Sequence, residues 1–297
     1  MTKLGGIGCT LIGLGPCVVL FIATVARNPL KIIVMTASGF FWLLSLLVAS
    51  IFWFAISHLT SHLAPSLIIA VVTQEAMRFA FYKLIVKADE GLHLITANMR
   101  ATPPTLQVAD SRRLSPASGG GDRNSFEFAI PVNRRSSDLL RPVQGGLGGI
   151  LSHQIVAYVA GLGFGVMSCV VELLRLLHES YGPGIHFDNL ESKFFFVVAA
   201  FQAMCLSMMQ IFWSLVLFAA FEMRAYVQLI SVYVVHLAIS CLSLLNTFPS
   251  PWPEFVCAVY FVTLIGMIVL TSFLLRKRNG AIRTLQQRAA QTAGGAN

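Results

Sequence analysis

Seven stretches of this chain are apolar over close to, or more than, the roughly 20 residues a helix needs to cross a bilayer. They run Leu4–Val25, Ile32–Ser57, Pro65–Ile85, His153–Leu174, Phe194–Phe221, Ala225–Leu245 and Phe255–Leu275. Backbone inside hydrocarbon must satisfy its own hydrogen bonds, and these stretches do not alternate at strand period, so the sequence predicts an all-α polytopic membrane protein built as a bundle of seven spanning helices. Only 11% of the residues are charged, against about a quarter in soluble domains, which removes a soluble globular enzyme from consideration.

A net charge of +8 would suit a nucleic-acid binder, but the basic residues are sorted by side of the membrane instead of clustered on one soluble face. Arg27, Lys31, Lys83, Lys87, the seven arginines from Arg100 to Arg141, Arg224, and the group Arg276, Lys277, Arg278, Arg283 and Arg288 fall on one side. The other side keeps Lys3, Arg175 and Lys193. The bias orients the N-terminus to the lumenal or extracellular side and the C-terminus to the cytosol, and no nucleic acid is expected as a partner. Lys3, the first apolar run and Ala23-Thr24-Val25-Ala26 also resemble a cleavable signal. Cleavage would leave the arginine-rich loop in the lumen, so the charge bias argues that the first span is kept.

The whole chain, 1–297, reads as one seven-span membrane domain. Residues 93–149, rich in Ser, Pro, Gly and Arg, have too little apolar content for a core and read as a disordered cytosolic loop. Residues 279–297 read as a flexible cytosolic tail. Ala26 to Lys31 is too short a link to allow anything but a helical hairpin of spans 1 and 2, and Gly182-Pro183-Gly184 marks a turn in the longest lumenal connection. The six cysteines lie in or beside spans without metal-ligand spacing or a disulfide pattern, and are expected to be packing residues.

In lipid the informative side chains are polar. Glu75 lies about 15 Å below the lumenal end of span 3 at Pro65, near the midplane. There Glu75 and Arg78 would each cost about 2.5 to 3.5 kcal/mol, so neither can face acyl chains. At i,i+3 they share a helix face with Gln74 beside them. Two readings stay open: a self-neutralised structural pair, or the polar wall of a cavity that receives a partner. Span 4 sets Ala157, Gly161, Gly165 and Cys169 four residues apart, a small-residue ridge for close helix approach, either within the bundle or to another subunit. Span 5 carries Gln202 and Gln210 with Ser207 and Ser214, and span 6 carries His236 with Ser240 and Ser243. These stripes should face each other or a watery cavity, and His236 is either a satisfied core histidine or a partner-binding group. All five aspartates, Asp89, Asp110, Asp122, Asp138 and Asp188, lie in loops. With no intramembrane aspartate pair, no His-Glu-x-x-His and no Gly-x-Ser-x-Gly, the chain is expected to catalyse nothing itself and to need no metal or cofactor.

An ordered set of residues resembles the anterior-pharynx-defective (Aph) family, the seven-span scaffold subunits of γ-secretase. It comprises Gly8-Cys9-Thr10, Gly15-Pro16, Thr24-Val25-Ala26 with Pro29-Leu30, Phe40-Phe41-Trp42-Leu43 to Trp53-Phe54, and Gln74-Glu75 with Arg78-Phe79-Ala80 and Tyr82-Lys83-Leu84. It continues with Ala88-Asp89-Glu90-Gly91-Leu92, Gly161, Gly165, Gly182-Pro183-Gly184, Phe212-Trp213, Glu222, Arg224, Tyr226 and His236. The resemblance implies a non-catalytic subunit that assembles first with nicastrin and then holds presenilin, the aspartyl protease that cleaves type I membrane proteins such as Notch and the amyloid precursor protein. The presenilin enhancer subunit and membrane lipids would complete its surroundings, in the endoplasmic reticulum, Golgi and plasma membrane. The glycine ridge looks like the family's assembly motif. His236 matches one of two polar groups, usually histidines, at the presenilin-docking cavity; at the other position this chain has Gln210, and the third small position of the ridge is Cys169. A seven-span receptor or a transporter is the competing class. The chain lacks an Asp-Arg-Tyr-like end to span 3 and an Asn-Pro-x-x-Tyr in span 7, and shows no repeat symmetry.

Overall fold

The computed structural model describes residues 3–57, 63–101, 153–181, 195–248 and 251–294. The described residues are helical: α1 Lys3–Leu20, α2 Pro29–Ile56, α3 Leu63–Ala101, α4 His153–Tyr181, α5 Phe195–Met223, α6 Tyr226–Leu242 and α7 Trp252–Gly294. The 182–194 connection and the 102–152 part of the long loop lie outside the described residues. By their contacts the residues group into two compact units, 1–81 with 154–297 and, separately, 82–153, where the sequence reading has one domain. Of the second unit the described part is the helical stretch Tyr82 to Ala101 and the first residue of α4. All that follows concerns the first.

Among the described residues six helices are long and apolar enough to cross a membrane: Gly5–Val25, Pro29–Ile56, His153–His178, Phe195–Met223, Tyr226–Thr247 and Trp252–Lys277. The seventh expected span, Pro65–Ile85, does not join them. It sits in α3, whose 39 residues are ample in length, but Gln74, Glu75, Arg78 and Lys83 dilute its apolar run. Helices also outrun the spans read from the sequence. Helix α3 continues to Ala101, past His93 where the loop was expected to begin, and α7 continues to Gly294, through most of the expected tail. Hydropathy marks where lipid ends, whereas a helix stops only when its residues favour stopping, and Leu285-Gln286-Gln287-Arg288-Ala289-Ala290 are good helix formers.

Local chemistry explains the first hairpin. Pro16 removes a backbone donor inside α1, and a π-helical turn, Phe21–Val25, closes the helix with the Ala26 N–H donating to the Phe21 carbonyl at 3.0 Å. Asn28 caps α2, its side chain accepting from the Leu30 N–H at 3.0 Å, and Pro29 takes the first helical position where no donor is missed. Lys31 then reaches back across the turn to the Thr24 carbonyl at 2.7 Å.

Helices α4 and α5 form the centre. In each, 61% of the best spanning window is buried, against 22% for α1 and α7 and 17% for α6. Helix α5 packs on α1, α6 and α7, and buries Cys205, Met209 and Trp213 together. Lipid tails supply no hydrophobic force between helices, so close approach has to do that work. It is visible along α4, where a Cβ on Gly161 would sit 2.7 Å from Ile211 Cα and 2.9 Å from Ser214 Cβ of α5, and one on Gly165 would collide with the Ser207 carbonyl.

Candidate functional site

Three helices deliver the four polar side chains singled out in the sequence to one place. Glu75 and Arg78, one turn apart on α3, form an ion pair with Arg78 Nη1 3.2 Å from Glu75 Oε1. The other guanidinium nitrogen, Nη2, donates to Gln210 Oε1 of α5. His236 of α6 places Nδ1 2.6 Å from Glu75 Oε1. A carboxylate paired with arginine can only accept, so the imidazole proton on Nδ1 points at Glu75 and Nε2 is the nitrogen left outside the network. Glu75 and Arg78 meet each other, and each also reaches a second helix.

Burial makes this arrangement consequential. Arg78 is 1% exposed, Gln210 1% and His236 2%. An arginine taken out of water is stable only if its charge is matched and its donors are used. Here Glu75 matches the charge, Gln210 takes one donor, and the Phe164 ring of α4 lies 4.8 Å from the guanidinium carbon, within cation–π range, while Nε is buried without an acceptor. Trp213 stacks on the His236 imidazole with centroids 4.1 Å apart and planes at 27°, which holds the ring in its orientation.

The glycine ridge turns inward. Gly161 and Gly165 abut α5 on either side of Gln210: the Gly161 Cβ position is 3.0 Å from the Gln210 carbonyl, and that of Gly165 is 3.6 Å from Gln210 Cβ. Cys169, the last small position, is buried with Cys9, Leu173, Ala200 and Ala203. The ridge therefore sets the approach that carries Gln210 to Arg78. A third glycine was missed by the four-residue spacing. Gly163 lies on the opposite face of α4, where a Cβ would strike Ser38 and the Met35 carbonyl of α2. The signal was present in Gly161-x-Gly163-x-Gly165, since residues two apart on a helix point about 200° from each other.

The polar stripes divide. Gln210, His236, Ser240 and Ser243 line a cavity of about 320 Å³, together with Gln74 of α3 and Gln202. Ser207 and Ser214, expected on the same stripe, instead face α1 and α4: Cys17 donates to Ser207 Oγ at 3.5 Å, and Ser214 fills the space beside Gly161. Positions at i−3 and i+4 lie roughly 40 to 60° around the helix from Gln210, enough to reach the neighbouring groove. Gln202 has a further bond partner that periodicity could not show. It exchanges amide hydrogen bonds with Asn246, at 2.8 and 3.3 Å, and donates to the Pro253 carbonyl at 2.9 Å. Among the described residues no three His, Cys, Asp or Glu side chains gather as they would around a metal ion.

The Aph-1 protein family model matches residues 4–278. The chain is similar to the γ-secretase subunit Aph-1b of Danio rerio, 31% identical with 80% of this chain and 78% of the relative covered. It is equally similar to the γ-secretase subunit Aph-1 of Drosophila melanogaster, 31% identical with 80% of each chain covered. The γ-secretase subunit APH-1B of Mus musculus is 31% identical over 90% of this chain and 88% of its own. A match across nearly the whole chain, including all three helices that deliver the polar cluster, makes this protein a member of the Aph-1 family of γ-secretase membrane subunits.

Proposed function

We propose that this chain is a non-catalytic assembly subunit of γ-secretase, crossing the membrane seven times with a lumenal N-terminus and cytosolic C-terminus, and holding nicastrin and presenilin beside it. In this reading α3 is the seventh span. Its charges argue for that placement more than against it: alone in lipid Glu75 and Arg78 would each cost about 2.5 to 3.5 kcal/mol, but they neutralise each other and find acceptor and donor on α5 and α6. Such a cluster is an expensive way to hold a bundle together unless it serves a neighbour.

The observation that carries the reading is the juxtaposition of the cluster and the cavity. Gln210 and His236 belong to both. The network clamps them on one side, and the cavity they line is polar enough to take the end or a polar side chain of another membrane subunit. Gln74, at the same wall, adds a free amide to that surface. The protease complex would work in the endoplasmic reticulum, Golgi and plasma membrane, on type I membrane proteins.

The test expresses His236→Leu and Gln74→Leu in cells deprived of their own Aph-1 subunit and follows presenilin processing and nicastrin co-purification. Both variants should insert at wild-type levels while processed presenilin falls severalfold. Wild-type processing and co-purification with either variant would reduce the cavity to internal packing and remove the proposed docking role.

A further inference from the structure

A second pocket, of about 270 Å³, lies at the opposite end of α5 and α6 from the Gln202–Asn246 pair, where α5 ends, α6 begins and α7 leaves the span. Its walls are apolar, from Val216 and Ala219 of α5 to Leu274 and Leu275 of α7, with three polar side chains set among them: Gln228, Thr271 and Lys277. Two of these are unusual. Thr271 is 3% exposed and its Oγ1 has no hydrogen-bond partner, and Gln228 Oε1 is buried without one as well. Hydroxyls in a spanning helix ordinarily bond the carbonyl one turn back. Thr10, Thr24, Thr73 and Thr263 all do so, at 2.6 to 2.9 Å. Thr271 does not. Unpaired polar atoms in a low-dielectric wall cost free energy, so two facing one pocket point to a ligand that completes them.

The depth identifies the ligand's class. Thr271 is about 28 Å along α7 from Trp252, and Lys277 about 9 Å further, so with a hydrocarbon core of about 30 Å the pocket straddles the boundary between acyl chains and headgroups. Exposed Arg224, at the α5–α6 turn, and exposed Arg276 make this end of the bundle cationic. Arg224 holds a left-handed backbone at φ 52°, a conformation glycine would adopt at less cost. A transmembrane helix about 10 Å wide does not enter a space this size, whereas a phospholipid headgroup and glycerol do.

We propose that this pocket binds one anionic phospholipid whose headgroup carries a hydrogen-bond donor. Its phosphate lies at the Lys277 ammonium, the headgroup hydroxyl or ammonium donates to Gln228 Oε1, and an ester oxygen accepts from the Thr271 hydroxyl. One acyl chain continues along Val216 and Ala219. Basic pockets between spanning helices on the positively charged side of a membrane take such headgroups. The apolar walls with few convergent polar groups fit an amphipathic molecule better than a soluble anion.

The experiment isolates the full chain with its co-purifying subunits in nanodiscs of phosphatidylcholine doped with phosphatidylserine, and counts retained phospholipid by native mass spectrometry. Wild type should hold one phosphatidylserine in preference to phosphatidylcholine. Lys277→Gln should weaken retention about fivefold, and the near-isosteric Thr271→Val by a similar factor of about five. Arg276→Gln, outside the pocket, should change little. Phosphatidic acid, an anion whose headgroup lacks the ammonium, should be held less well than phosphatidylserine. Equal retention of phosphatidylcholine, no retained phospholipid at all, or losses that follow Arg276 as much as Lys277 with Thr271→Val unaffected would each overturn the proposal. The last result would assign retention to diffuse surface charge.

Discussion

Helix α5 is held on one side by glycines and on another by charges, and the two contacts behave differently. Against α4 the seam is made of backbone: Gly161 and Gly165 let Ile211, Ser214 and Ser207 approach until no side chain fits between. Against α3 and α6 apolar packing is joined by a polar cluster of four side chains, with Arg78 donating to Gln210 and Glu75, and His236 meeting Glu75. A small-residue seam fixes distance but tolerates sliding and rotation, because dispersion is indifferent to which atoms meet. Hydrogen bonds and opposite charges are directional, so the cluster fixes which faces meet. The seam brings the helices close and the cluster selects their register.

The comparison breaks most sharply at Arg78. Arg78→Leu leaves Glu75 buried without its cation and should cost about 3 to 5 kcal/mol, read as detergent-resistant unfolding of the purified chain. Adding Glu75→Gln to it should recover part of the loss. A double variant no more stable than the single one would show that the charges are not a unit.

Gly165→Leu comes next. Overpacking a tight contact costs about 1 to 3 kcal/mol, and backbone on the facing helix leaves little room to yield. If the seam acts by delivering Gln210 to Arg78, its cost and that of Gln210→Leu should be non-additive in the same unfolding assay. Strict additivity would separate seam from cluster.

The smallest effect is expected at Gln202, which lies on the same helix but ties α5 to the α6–α7 turn through Asn246 and Pro253. Gln202→Leu should cost about 1 kcal/mol and leave the Arg78 variants' costs unchanged. A larger loss coupled to Arg78 would mean that the cavity wall and the cluster respond as one.

Much of this was legible in the chain. Glu75, Arg78, Gln210 and His236 stood out because a polar group in hydrocarbon needs a reason, and the same rule marked Gln74; the small residues of α4 stood out by their four-residue spacing. What was not legible had to do with direction. Ser207 and Ser214 share a helix face with Gln210 within 60° or so, yet that angle separates a cavity from a groove. Gly163 was hidden by a spacing chosen for one face when α4 is packed on two. The Gln202–Asn246 exchange joins residues 44 apart, which no local period records. The span count differs as well: the sequence reading takes Pro65–Ile85 as a span, whereas α3 is not among the six described helices long and apolar enough to cross a membrane.

Sequence alone determined that this chain lives in lipid, that its structure is helical, and which side chains must be shielded, because the solvent penalises those groups whatever the fold. Tertiary structure decided the partner of each. Whether Arg78 meets Glu75, Gln210 or lipid depends on helix rotations of tens of degrees and separations of an ångström or two, and these are set by the sum of contacts along every packed face.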